Sequence, residues 1–284
     1  MTVDEIKRIV VSVVSAEKTG YVLTAEQFNL YLQKADIDLF NQAIRELGTA
    51  QKITDVLMPF KVRTGLTFLS GASALPSDYA RFLTIYDPIN EVPIEILDDS
   101  EIGDRLNNPI TAPTTTYPVA FFVNNQVNIL PTTIETITGT ADAGGSGTAL
   151  VRKTGTSFLT SGVKVRNLIR NTTDGSWAEI VTITDGDNIV TTALQGGTAN
   201  TWAENDAYSV GIEMHYVKKP TTPVYAEEVD NGINVYDSSN STQLEWDSLQ
   251  HPDIIRLIIA QTGVDVKDSL IVQAINQEKQ ENIK

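Results

Sequence analysis

The sequence predicts an α+β protein: a helical bundle from N- and C-terminal helices with a small antiparallel β region, plus an inserted small all-β barrel or sandwich domain. Three observations predict it. Apolar residues recur with the helical period at both ends of the 284-residue chain, alternate with period two between them, and thin into small polar residues and short strands over 138–210. The expected division is one α+β domain from 1–137 and 211–284, interrupted by a β-domain at 138–210. The alternative is one continuous all-β region from 61 to 225.

Residues 3–18 place Ile6, Ile9, Val10, Val13 and Val14 on one face of a helix. The next helix, 24–47, has a start signal in Thr24 as N-cap, Gln27 closing a capping box, and Leu23 with Phe28 as a hydrophobic staple. Gly48 is placed to stop it. A third helix is expected over 50–57. From Lys61 the period changes, and "KVRTGLTFL" and "ARFLTIYD" read as strands that could pair, followed by the strand "VPIEIL" and a brief helix in "DDSEIGDRLNN". "ITAPTTTYP" is an extended connector. "VAFFVNNQVNILP" reads as a hairpin turning at Asn124 and Asn125.

Beyond Thr138 the alternation stops, and "GTADAGGSGT" reads as a flexible way into a separate domain. Four or five short strands follow, separated by the turns "TTDGS", "TDGDN" and "QGGT", enough for a small closed barrel or sandwich. At Ile212 the larger pattern resumes in "IEMHYVKKP". The segment "ILPTTIETI" before the insert and "IEMHYVKKP" after it are expected to be neighbouring pieces of one sheet, because an inserted domain needs its two ends close together. Two C-terminal helices close the chain, at 252–261 with Pro252 in the first turn, and at 266–281.

The net charge of −15, spread along the chain, argues against a sequence-independent grip on nucleic acid, which needs clustered Lys and Arg. There are no cysteines, so disulfides and thiolate metal sites are excluded. The apolar run at Ile9 to Val14 is too short and too acidic in its approach for a signal peptide, and no apolar run reaches the length of a membrane-spanning helix. The chain reads as made and used in soluble form.

Chemistry leaves little trace. His215 and His251 have no companion ligands at metal-site spacing. Asp185, Asp187 and Asn188 in "TDGDN" resemble part of a calcium loop without its downstream glutamate, and Asp-Gly between strands is hairpin chemistry. The adjacent acids Asp98 and Asp99, and Glu227 and Glu228, read as solvated surface. Trp177 and Trp202 could stack on a sugar ring in a virion surface, receptor or glycan-binding module acting through the inserted domain; Trp177, Trp202 and Trp246 as core residues is the competing reading. No catalytic residue, cofactor or metal is expected, and the chain does not read as an enzyme.

The order of elements, with "LPSDY" (Leu75 to Tyr79) and "YVKKPTTP" (Tyr216 to Pro223), resembles the head-to-tail adaptor, or connector, proteins of tailed bacteriophages. The segment "TSFLTSGVKVRNLIRNTTDGSWAEIVTIT" resembles small β-domains that recur in phage structural proteins. This resemblance implies a structural virion protein at the head-to-tail junction, made in the host cytoplasm. It implies a homo-oligomeric ring, dodecameric as a rule, that joins the portal protein to downstream tail or stopper proteins. The genome passes through its channel without specific binding, and no membrane is involved. By the same resemblance Leu270, Ile271 and Ile275, near the C-terminus, are candidate portal contacts.

Overall fold

In the computed structural model, which describes residues 1–17, 22–47, 55–66, 68–132, 136–143, 145 and 147–263, the first apolar period becomes helix α1 (Val3–Glu17). Its inward face is Ile6, Ile9, Val10, Val13 and Val14, all buried. Helix α2 (Ala25–Glu46) starts where the capping signal lies: the Thr24 hydroxyl accepts from Gln27 N–H at 3.2 Å and Gln27 answers to Thr24 N–H at 3.4 Å. Leu23 and Phe28 on either side are both buried. Of the expected helix over 50–57, most lies outside the described residues; Met58–Phe60 forms a single 3₁₀ turn. The expected helix over 266–281 lies outside them altogether.

The chain divides into two units, Met1–Lys61 with Lys218–Lys284, and Val62–Val217. In the first, α1 and α2 pack on a C-terminal helix (His251–Gln261) that has Pro252 in its opening turn and buries Ile254, Ile255, Ile258 and Ile259. Aromatic rings tie these helices to the loops: Phe40, Phe60 and Trp246 form an edge-to-face chain with centroids 5.4 and 4.6 Å apart.

The second unit holds strands β1 (Lys61–Gly65), β2 (Ala72–Ala74), β3 (Tyr79–Asp87), β4 (Val92–Ile96), β5 (Val119–Val123) and β6 (Gln126–Leu130), with helix α3 (Asp99–Asn107) between β4 and β5. Strands β7 (Ile137–Ala141), β8 (Ala149–Gly155), β9 (Leu168–Asn171), β10 (Trp177–Ile183), β11 (Asn188–Thr191) and β12 (Ala207–Val210) follow, then β13 (Glu213–Lys218). Seven of these make one sheet in the order β1-β13-β3-β4-β5-β6-β2, and six close into a barrel in the order β10-β11-β8-β7-β12-β9. The first unit adds a two-stranded ribbon, β14 (Glu227–Asp230) and β15 (Ile233–Tyr236), and the C-terminal helix is α4.

The expected fold class is therefore corrected. The described residues contain fifteen strands and four α-helices, and the chain is mostly β, not a helical bundle carrying a small β region. The sheet is also mixed, because β4 and β5 run parallel. Two pairings move with it: β13 lies between β1 and β3, so those two strands do not pair, and β6 and β13 share the sheet without being neighbours. The physical reason is that short strands show few alternations each. Their number is visible in sequence, but the pairing that sums them into a large sheet is non-local.

The expected linker "GTADAGGSGT" is corrected as well, since Gly139, Thr140 and Ala141 belong to β7 inside the barrel wall. Its glycine makes room rather than slack. A Cβ at Gly139 would sit 2.2 Å from the Thr154 carbonyl oxygen and 2.4 Å from the Tyr208 hydroxyl. The Tyr208 ring is buried in the barrel core with Phe158, centroids 5.6 Å apart, and its hydroxyl donates to Thr154 O at 3.3 Å. Burial pushes that hydroxyl's pKa up to about 12.

One buried carboxyl in the first unit makes the fold sensitive to pH. Asp36, on the inward face of α2 and only 2% exposed, accepts from Trp246 Nε1 at 2.6 Å. Burial pushes its pKa up to about 6, with the Trp246 bond opposing and the charge of Glu245 adding to the shift. The folded state then holds a proton that the unfolded chain releases above its ordinary pKa, so this residue's contribution to stability falls as pH rises from about 4 to about 6. Asp36→Asn keeps an oxygen acceptor for the indole and removes the charge. It should raise stability above pH 6 by about 2–3 kcal/mol, with no gain near pH 4, read from urea midpoints of both proteins across that range.

Candidate functional site: the seam between sheet and barrel

Within the second unit the barrel leaves the sheet after β6 and returns to it through Gly211 and Ile212 into β13. Leu66 N–H, just past β1, donates to Ile212 O at 2.8 Å. The first residue of β13, Glu213, is 1% exposed, and its carboxylate takes three donors. Arg63 of β1 gives it two, Nε to Oε2 at 2.7 Å and Nη2 to Oε1 at 3.0 Å. Leu168 N–H at the start of β9 gives the third, at 2.8 Å. The same guanidinium reaches Glu179 of β10 through Nη1 at 3.3 Å and donates to the carbonyl of Arg166. A planar fork suits this role because it can serve a carboxylate on one edge and further acceptors on the other.

His215 lies two residues along the same face of β13, and with Arg63, Thr84, Tyr86 and Glu213 it lines an open recess of about 260 Å³. Burial and then the Arg63 charge hold its pKa below the ordinary histidine value, with Glu213 pulling the other way. The imidazole is thus neutral at pH 7. Arg63 and Glu213 satisfy one another, and the arrangement orients the barrel against the sheet.

Beside this knot a second cleft, of about 360 Å³, opens between the sheet edge and the barrel. Trp177 and Arg170, directly opposite each other in the β9–β10 pair, form its barrel wall, and Thr64, Ser73 and Pro76 line the sheet side. The indole is half-buried. An aromatic face with a guanidinium and hydroxyls nearby can stack on and hydrogen-bond to a small polar ring.

Of the residues singled out in the sequence, Trp177 is therefore a cleft residue. Trp202 is 2% exposed inside the barrel core, so it is corrected to a core residue and cannot stack on a ligand there. Trp246 is buried too, against Phe60 and Asp36. His251 is buried, with Nε2 3.3 Å from the Trp246 carbonyl oxygen. Asp185 closes its own turn by accepting from Asp187 N–H and Asn188 N–H at 2.8 and 2.9 Å. Glu227 pairs with Lys7 at 2.6 Å, whereas Glu228 is exposed. Leu270, Ile271 and Ile275 lie outside the described residues. Among the described residues no group of three or more His, Asp or Glu converges as a metal would require, and no helix is long and apolar enough to cross a membrane.

Arg63 and Glu213 are the residues that sequence reasoning passed over. Their signal was present: a charge in the interior of "KVRTG" and another at the start of "EMHYVK", each followed or flanked by apolar or neutral residues, with the strands' other charges, Lys61 and Lys218, at their outer ends. A charge in such a strand needs a partner, but 150 residues separate the two.

Compared with models of known protein families and with curated proteins, the chain matches none.

The knot predicts an asymmetric response to mutation. Arg63→Met leaves Glu213 buried without its counter-ion and should destabilise the second unit by about 3–5 kcal/mol. Adding Glu213→Leu should recover part of that loss, since an apolar pair can fill the space, while Leu168 N–H stays unsatisfied at a cost of about 1–3 kcal/mol. Urea unfolding of wild type, single and double variants checks the order.

Proposed function

We propose that this chain is a structural protein of a tailed bacteriophage virion, a ring-forming adaptor that joins the portal to the tail and lets the genome pass through its channel. The observation that carries the reading is that the two stretches on which the resemblance rests meet in space. Tyr216, the first residue of "YVKKPTTP", donates its hydroxyl to Asp78 of "LPSDY" at 2.8 Å across 138 residues of chain. Its ring lies 6.0 Å from that of Tyr79, the next residue of the same motif. Burial, and then the bond to Asp78, raise the Tyr216 pKa and keep the phenol a donor. The two motifs are therefore parts of one packing feature, which supports reading them together.

An assembly role also suits the surface. Ile110 is 91% exposed and Tyr117 70%, in the connector before β5, and Val229 and Ile233 stand out on the β14–β15 ribbon at 73% and 68%. Single bare apolar residues are ordinary, but several in projecting segments favour contact with other chains. A ring of chains each carrying −15 would present DNA with a repelling channel through which it slides without being gripped. The purified chain mixed with its portal should give a discrete ring-sized complex by light scattering coupled to size exclusion; a monomer with no association in that mixture overturns the reading.

The half-buried Trp177 in its cleft favours a second reading, a virion surface module that binds a glycan through the barrel. On that reading a glycan array gives a signal that Trp177→Ala removes and Trp202→Phe, a core change, leaves in place. An array blank for the wild-type chain disposes of it.

A further inference from the structure

The cleft beside Trp177 lies between the two edges of the seven-stranded sheet. Strands β1 and β2 are those edges, and both line it, β1 through Thr64 and β2 through Ser73. The barrel supplies the remaining wall. In β9 and β10 the alternation puts Ile169 and Ala178 into the barrel core, so Arg170 and Trp177 point away from it, side by side in the register. At about 360 Å³ the space is near the lower end for small-molecule clefts, about 300–1,000 Å³, and suits one sugar ring with its substituents.

One lining group is a buried hydroxyl. Ser73 is 6% exposed, and directly opposite it in β6 stands Val127, wholly buried, so the two side chains share the inner face of the sheet. Among the described residues the Ser73 hydroxyl has no hydrogen-bond partner. Buried hydroxyls ordinarily have one, so a ligand hydroxyl in the cleft would satisfy a group that the described chain leaves open. Charge narrows the class of ligand. Among the described residues that line the cleft, Arg170 is the one charged side chain, in a chain of net charge −15. A guanidinium has five N–H donors, and a planar fork bonded to the chain on one edge still presents the other to a carboxylate. The indole beside it offers an apolar face to the C–H groups of a ring.

We propose that this cleft binds an acidic sugar, a pyranose ring carrying a carboxylate, with the ring on Trp177, the carboxylate on Arg170 and a ring hydroxyl on Ser73. The inference rests on the reading of the barrel as a glycan-binding module and names the class of glycan. A neutral sugar leaves the cation of the cleft unmatched. A nucleic acid strand also stacks on indoles, but it meets a chain whose net charge repels it.

The test uses the full chain, isotope-labelled for magnetic resonance, with the Trp177 indole N–H signal identified by its loss in Trp177→Phe. Oligosaccharides ending in glucuronate, galacturonate or sialate are titrated in, each beside its carboxyl-reduced counterpart. The expected result is that at least one acidic sugar moves the Trp177 signal and binds about tenfold or more tighter than its reduced form. Arg170→Gln should abolish that preference and leave weak binding of both forms, whereas Ser73→Ala should weaken both forms alike, by about threefold to tenfold. The signals of Trp202 and Trp246, both buried, should stay in place and report that each variant is folded. Equal binding of acidic and reduced forms overturns the acidic-sugar inference and leaves the glycan reading standing. An acidic sugar that binds without moving the Trp177 signal overturns this site. No binding of any of these sugars overturns the inference, and the glycan array then decides the glycan reading separately. A Trp177 shift with oligothymidylate alone overturns it too and assigns the cleft to nucleic acid.

Discussion

The second unit depends on one carboxylate. Glu213 stands where the chain returns from the barrel to the sheet, and it takes a guanidinium from the sheet strand β1 and a backbone N–H from the barrel strand β9. Apolar contact between two β-structures tolerates sliding and rotation, because dispersion is nearly indifferent to direction. Three directional bonds to one buried anion are not indifferent. With Arg63 also reaching Glu179 and the Arg166 carbonyl, the knot specifies how the barrel sits on its sheet, and the low local dielectric makes each of its bonds hard to give up singly.

Away from that knot, each hydrophobic core is organised around a polar atom that has to be satisfied. In the barrel it is the Tyr208 hydroxyl, which crosses the wall at Gly139 because no side chain there would leave room for it. In the sheet it is the Tyr216 hydroxyl on Asp78, and in the helical unit the Trp246 indole on Asp36. Apolar burial supplies most of the stabilisation in all three, but it is the placement of these few hydrogen bonds that selects one packing among many similar ones.

The surface shows the opposite economy. Lys7 and Glu227, Lys218 and Glu245, and Lys153 and Glu204 are paired within the chain, whereas Leu30 and Ile37 on α2 and Val229 and Ile233 on the ribbon β14–β15 stay exposed.

Local determinants were legible in the sequence: the face of α1, the capping box of Thr24 and Gln27, Pro252 opening α4, the paired asparagines between β5 and β6, and the run of short strands after 137. Each depends on residues within a few positions of one another, where periodicity and turn chemistry act directly. Trp202 was open to two readings because its place in a core depended on strands from across the barrel closing over it. The strand content was underestimated for a related reason, since each strand is only three to nine residues long and shows its inward face two or three times. What only the tertiary structure decided was which strands are neighbours: β13 between β1 and β3, β7 as barrel wall and not linker, and Glu213 beside Arg63. Those pairings bring together residues up to 150 positions apart, and no local pattern records them, because hydrogen bonding along a strand edge is much the same whichever partner it finds.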